Sequence, residues 1–248
     1  MATVAQHLSY SHNGKTVHTI KADLASISVV DIGAKSVNDQ AYFGVNGTFF
    51  SGSSLLGIAM QGGSAVRTGG TRSGQACNVK TKRGTMFCYN SGKSVTTGVV
   101  DYASEANLSN VKWAIGGYSL FPNLSYSTDN DYYKAIHGTD SPDNCNAAKE
   151  GTQNAYRFGP MSKTQRTAIG WDGSKIWLAV FQSENAWGVR QFMIDRGCNT
   201  AIMLDGGGSS QIKYAVIRNG NPVPTNYDPS GVNRSVYSMV RVAAEEWV

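Results

Sequence analysis

Apolar and polar side chains alternate early in the chain. Residues 15–23 and 26–32 alternate with many β-branched members, which predicts two consecutive strands, each with one buried face. His18 falls among polar neighbours in the first of them and is expected to face solvent. Residues 41–46 make a short apolar strand that stops at Asn46-Gly47, with Phe49 and Phe50 close behind. Two large rings on a loop need something to cover. From 57 to 98 the pattern thins into glycine-rich segments with short strands at 75–79, 85–89 and 95–100, a β-meander with long loops. Residues 111–122 give a further strand that runs into Gly116 and Gly117. The polar stretch 123–160 has little periodicity and is expected to form a long mobile flap.

The second half is more sharply patterned. Residues 166–181 read as a hairpin whose Asp172-Gly173 tip fits a type I′ turn, and its second strand, apolar on both faces, is expected to be central. After a loop at 182–186, Val189, Phe192, Met193 and Arg196 recur at helical spacing, so 187–196 is predicted helical with Gly197 as its stop. Residues 200–204 are again an apolar strand, and a strand–helix–strand crossover joins parallel strands of one sheet.

That strand ends abruptly on Asp205, followed by Gly206, Gly207 and Gly208 and then Ser209 and Ser210. Glycines let the backbone take positive φ and let other groups approach it, and loops at strand ends commonly carry sites. The competing reading is a tight turn capped by its own aspartate. A strand at 211–217, an Asn219-Gly220 turn, a proline-rich loop and a last strand at 233–242 complete the chain. No linker, repeat or low-complexity tract interrupts it. The expectation is one domain over 1–248, α/β (α+β) in class, with a mixed, mostly-β sheet core, few helices and an active site at strand ends.

Composition narrows the function classes. Only 16% of residues are charged and 28 are glycine, which argues against helical bundles. A net charge of +5 suits an anionic ligand, but the basic residues are scattered, the densest group being Lys80, Lys82 and Arg83. Without a basic stripe or a recognisable motif, nucleic acid is not an expected partner. The four cysteines form no C-x-x-C pair, so no structural zinc is expected, and no cofactor is implied. Cys77 and Cys88 flank a hairpin and read either as a disulfide or as free thiols. Asp129-Asn130-Asp131 offers at most an adventitious calcium contact. No apolar run approaches the 18 or so residues of a membrane span, and the first residues lack a signal-peptide pattern. A soluble protein is expected, and the compartment stays open, secretion or a cell surface being one native setting.

Several motifs in sequence order give a family resemblance. Val45-Asn46-Gly47-Thr48-Phe49-Phe50, Arg166-Thr167-Ala168-Ile169-Gly170, Met203-Leu204-Asp205-Gly206-Gly207-Gly208-Ser209-Ser210 and the arginine-led strand from Arg234 resemble the elements of the phosphodiester glycosidase family. Met203 stands where the family usually has asparagine, and Gly116-Gly117-Tyr118-Ser119-Leu120 follows its Gly-x-Pro-x-Leu element only loosely. The resemblance implies a hydrolase that releases a sugar, N-acetylglucosamine or similar, from a sugar-1-phosphodiester.

For such chemistry the candidates are Asp205 as nucleophile or base, Glu184 as partner carboxylate, and Arg166 and Arg234 as planar donors to phosphate. The backbone amides from Gly206 to Ser210 would add an anion nest. Asn46, Thr48, Phe49, Ser209 and Ser210 are candidate sugar contacts, Phe49 by stacking. The expected partner is a carbohydrate or sugar phosphodiester. Two rival functions remain: hydrolysis of a phosphate-free polysaccharide or cell-wall glycan, and glycan binding without catalysis.

Overall fold

The computed structural model describes residues 2–73, 82–100, 102–137, 150 and 160–248. The first strands are β1 (Val4–His12), β2 (Lys15–Asp23), β3 (Ile27–Lys35), β4 (Phe43–Asn46), β5 (Phe50–Ser51), β6 (Ser54–Leu55), β7 (Ala59–Gln61) and β8 (Ser64–Ala65). Then come β9 (Arg83–Tyr89), β10 (Val95–Val100), β11 (Val111–Gly116), β12 (Tyr118–Ser119), helix α1 (Asp129–His137), β13 (Thr164–Trp171) and β14 (Lys175–Glu184). Helix α2 (Ala186–Asp195), β15 (Thr200–Met203), β16 (Ile212–Arg218), β17 (Asn221–Tyr227), β18 (Val236–Val242) and β19 (Glu246–Trp247) close the chain. The protein is thus mostly β with two α-helices among the described residues.

The largest sheet has the order β12-β15-β13-β14-β2-β1-β19, and two five-stranded sheets have the orders β10-β9-β11-β7-β8 and β17-β16-β4-β18-β3. β14 sits centrally, and its side chains alternate between two cores. Ile176, Leu178 and Val180 join the cluster shared with the other sheets, while Trp177, Ala179 and Phe181 join the cluster under the helices. Both faces of this strand are therefore buried, as its unbroken apolar run requires. Helix α2 supplies Val189, Phe192 and Met193 to the second cluster, and α1 supplies Tyr132 and Ile136.

The crossover from β14 through α2 to β15 has the expected sense. β13 lies between β14 and β15 and is antiparallel to both, so those two strands run parallel with one strand between them. The Asn185 side chain caps α2 by accepting from the Gly188 amide (2.9 Å), and Gly197, at φ 75°, ends it.

Several expectations change. The stretch 123–160 contains helix α1, opened by a capping box in which Thr128 Oγ1 accepts from Asp131 N–H and Asp131 Oδ2 accepts from Thr128 N–H, both at 3.1 Å. Asp131 thus serves the helix start; residues 138–149 and 151–159 lie outside the described set. The proline-rich loop is the edge strand β17, where Pro222 and Pro224 are tolerated because an outer strand need not donate on both sides. At the β13–β14 tip only Gly173 has positive φ (97°), while Asp172 Oδ1 instead accepts from the Ser174 and Lys175 amides (2.8 and 2.7 Å). Both Asn13-Gly14 and Asn219-Gly220 do have the paired positive φ values of a type I′ turn.

His18 is half-buried in a stack with His7, Tyr214 and Tyr227, its Nδ1 at 3.1 Å from His7 Nε2. Strand β1 was not evident in the chain's pattern because its exposed positions are Ser9 and Ser11 and its half-buried ones mix His7 and His12 with Leu8 and Tyr10. Cys88 is a buried free thiol, and Cys77 falls outside the described residues.

One glycine fixes how β4 enters its sheet. Gly44 has φ +137°, and a Cβ there would run into the Val240 carbonyl oxygen on β18. Gly44→Ala is expected to cost at least about 3 kcal/mol, seen as a Tm lower by about 10 °C in a thermal melt. A Tm within 2–3 °C of wild type, below about 1 kcal/mol at this chain length, would disprove the close approach.

Candidate functional site

Asp205 follows directly from the packing of β15. Ala201 and Met203 face the helix-side core while Ile202 and Leu204 face the other, so the strand is buried on both sides until the chain meets the acid. Leu204 N–H still donates to the Thr167 carbonyl (2.8 Å), whereas Asp205 N–H donates to the Gly47 carbonyl at the end of β4 (3.2 Å). The chain thus passes from one sheet to another at this residue.

Asn46 makes the joint. Its Nδ2 donates to the Asp205 carbonyl (2.8 Å), and its Oδ1 accepts from Thr167 Oγ1 (2.7 Å) and from the Gln211 amide (3.1 Å). The residue is buried and both acceptor positions of its oxygen are taken, so it ties three strands together.

Beyond Asp205, Gly206 N–H bonds back to Asp205 Oδ1 (3.0 Å), and Gly207, at φ +59°, begins a single 3₁₀ turn, Gly207–Ser209. A Cβ on Gly206 would lie 2.9 Å from the Gln165 carbonyl oxygen and 3.3 Å from Arg166 Nη1, which explains the glycine. The amides of Ser209 and Ser210 close the turn onto Gly206 and Gly207. Those of Gly207 and Gly208 carry no hydrogen bond among the described residues.

A cavity of ≈ 380 Å³ opens over this loop. Asp205, Gly206, Gly207 and Gly208 form one side, Thr164 and Arg166 of β13 another, and Phe49 and Arg234 the remainder. Of the candidate residues, Asp205, Arg166, Arg234, Phe49, Gly206 and Gly207 therefore come together. Asn46 and Thr48 are buried beneath, Thr48 against Gly57, and Ser209 and Ser210 are buried hydroxyls behind the loop. Glu184 is absent from the lining. Its carboxylate accepts from Asn13 Nδ2 (2.7 Å) and from the Asn185 amide (3.0 Å).

Thr164 was not anticipated, though it stands two residues before Arg166 and strand alternation puts both on one face. A second cavity of ≈ 570 Å³ lies beside Asp23 and Lys175, but those charges already pair with each other at 2.6 Å. Size therefore does not select it.

Electrostatics distinguish the smaller cavity. Burial pushes the Asp205 carboxyl up to about 6, against the opposing pull of the Ser209 hydroxyl, Arg234, the Gly206 amide and Arg166. Burial lowers the Arg166 guanidinium to about 10, so it remains a cation at neutral pH. Arg166 is fixed: Nε donates to the Glu184 carbonyl (3.1 Å) and Nη2 to the Ser162 carbonyl (2.7 Å). Arg234 is exposed, its guanidinium 5.0 Å from the Phe50 ring, with no hydrogen bond from it among the described residues. Phe50 itself packs edge-on against Tyr237. One carboxylate, two guanidinium groups and two unbonded amides thus surround one small cavity, an arrangement suited to a substrate with an anionic group beside its reacting centre. Among the described residues no group of His, Cys, Asp and Glu is arranged to hold a metal ion.

The family model for phosphodiester glycosidase matches residues 39–243, and every element of this cavity lies within that span. The chain belongs to the phosphodiester glycosidase family. It is accordingly a glycosidase-type hydrolase. Among solved structures, it is similar to the zebrafish N-acetylglucosamine-1-phosphodiester alpha-N-acetylglucosaminidase catalytic domain auto-inhibited by its pro-peptide, at 18% identity and a TM-score of 0.60, over 98% of this chain and 83% of that one. It is also similar to a hypothetical protein from Synechocystis, at 14% identity and a TM-score of 0.55, over 96% of this chain and 61% of that one. At these identities the likeness speaks to the fold. No curated protein matches the chain. No helix among the described residues is long and apolar enough to cross a membrane.

Proposed function

We propose that this phosphodiester glycosidase, acting as one domain over 1–248, hydrolyses a sugar-1-phosphodiester at its anomeric carbon in the cavity over Asp205. The observation that carries this is that Asp205 shares one cavity with Arg166, Arg234 and the unbonded amides of Gly207 and Gly208, with both guanidinium groups acting on its carboxyl. Ionised Asp205 stabilises the oxocarbenium-like centre, either by attacking it or by activating water. The bond from the anomeric carbon to the phosphate oxygen breaks and water supplies the new hydroxyl. The departing phosphomonoester is a stable anion, so it needs a cationic cradle more than a proton. Arg166, Arg234 and the glycine amides supply that cradle.

Glu184 is assigned no proton transfer here, because its carboxylate is absent from the cavity lining and is bonded to Asn13 and the Asn185 amide. Asn46 holds the loop, and Phe49 offers the ring for one sugar face. The zebrafish enzyme's name points to N-acetylglucosamine as the first sugar to test.

The test compares a sugar-1-phosphodiester with a phosphate-free glycoside of the same sugar. The phosphodiester is expected to turn over at least about 10²-fold faster in kcat/KM, the scale of one lost preorganised donor. Equal rates would favour a polysaccharide or cell-wall glycosidase, and binding without product from either would favour a glycan-binding module. Either result rejects the proposal.

A further inference from the structure

We infer that the tip of the β1–β2 hairpin holds Arg166 in place through Glu184, which makes Asn13 and Glu184 positioning residues for the cavity. The contacts form an unbroken chain. Asn13 Nδ2 donates to Glu184 Oε2 (2.7 Å), and the Glu184 carbonyl accepts from Arg166 Nε (3.1 Å). His12, next to Asn13, donates from Nε2 to the Gly188 carbonyl (3.0 Å) in the first turn of α2, with Glu184 Oε2 3.7 Å away. Glu184 is only 3% exposed, so its carboxylate depends on these partners and on the Asn185 amide.

Two local features serve this arrangement. β14 carries one extra residue between the pairs Arg166–Phe181 and Thr164–Glu184, and this bulge brings the Glu184 carbonyl over the arginine. Gly188 leaves room for the carboxylate: a Cβ there would strike its terminal atoms and come within 2.7 Å of Glu184 Cγ. Asn13 itself takes φ 49°, a conformation open to asparagine and glycine, so the turn that delivers the carboxamide is built into the hairpin. In its consequence for phosphate the inference rests on the proposed function; in its geometry it does not.

Two variants test the chain of contacts. Asn13→Gly keeps the turn and removes only the carboxamide. Gly188→Ala favours the helix but displaces the Glu184 side chain. In ¹⁵N NMR both are expected to shift the Arg166 Nε–H signal and to speed its exchange with water, with a cooperative melt a few degrees below wild type because each disturbs the buried Glu184 carboxylate. In calorimetric titration with inorganic phosphate both are expected to weaken binding about tenfold, as misplacement of a cradle group does. Asn13→Gly should add nothing to the loss already caused by Arg166→Lys. The pair N13D/E184Q, which exchanges donor and acceptor, should restore the signal. An unmoved Nε–H signal in both single variants, or an additive loss in the Arg166→Lys background, would overturn the inference. If the wild type bound no phosphate the proposed function would fail, while the Nε–H signal would still decide this point.

Discussion

Asp205→Asn is expected to lower release of sugar from a sugar-1-phosphodiester by at least about 10³-fold, while raising the Tm at pH 8 or leaving it unchanged. The two halves of this prediction have one cause. Burial holds the Asp205 carboxyl at about 6 in the folded protein, above its ordinary value of 3.8. Between those values the folded state keeps a proton that the unfolded chain releases, so stability falls as pH rises through about 6. Ionised Asp205 is thus a net cost to the fold at neutral pH, offset only in part by Arg234, Arg166 and the Gly206 amide. Asparagine removes that cost, and the Tm advantage should shrink toward pH 4, where the wild-type acid is also neutral. Catalysis needs the opposite state, so wild-type kcat/KM should rise with pH to a plateau with its midpoint near 6, and this rise should vanish in the variant. Undiminished turnover in the asparagine variant would remove Asp205 from the chemistry. A melting curve destabilised at pH 8 but not at pH 4 would show that the carboxylate serves the fold instead.

Where local pattern decides structure, the chain was readable. Alternation placed β2 and β3, the two-sided apolar run placed β14, and the spacing of Val189, Phe192 and Met193 placed α2 within a residue at each end. Asp205 stood out because an apolar strand has no local reason to stop at an acid and three glycines. What stayed hidden was set by contacts between distant segments. Asn46 looked like a turn residue or a sugar ligand, yet its bonds reach Thr167, Asp205 and Gln211, none of which is near it in sequence. Glu184 looked like a second carboxylate because it follows a central strand. Only the fold reveals Asn13, 171 residues away, as its partner. Helix α1 was missed because its few core residues, Tyr132, Tyr133 and Ile136, sit among polar neighbours and its start depends on the Thr128–Asp131 capping box. β17 was missed because its two prolines read as loop and are acceptable only at an edge.

Arg234→Ala is expected to lower kcat/KM for the phosphodiester by about 10²-fold and to leave hydrolysis of the phosphate-free glycoside unchanged. Exposure separates this arginine from Arg166. The Arg234 guanidinium lies over the Phe50 ring with no hydrogen bond from it among the described residues, so its removal leaves no buried acceptor unpaired. The stability change should be small at pH 4 and larger at pH 8, where Arg234 offsets part of the cost of the ionised Asp205 carboxylate. Arg166 is buried and its loss would strand the Glu184 and Ser162 carbonyls, so Arg166→Ala would mix destabilisation with any effect on substrate. Arg234 thus gives the cleaner measure of what a cation contributes to the leaving phosphate. Arg234→Lys keeps the charge but not the planar pair of donors, and should recover only about tenfold of the loss. Because the wild-type guanidinium is exposed, its share should also weaken as salt rises from 0.05 to 0.5 M, whereas the alanine variant should be nearly insensitive. Equal losses on the charged and neutral substrates would show that Arg234 acts through the Phe50 ring and the shape of the cavity, and the phosphate would then have to be held by Arg166 and the glycine amides alone.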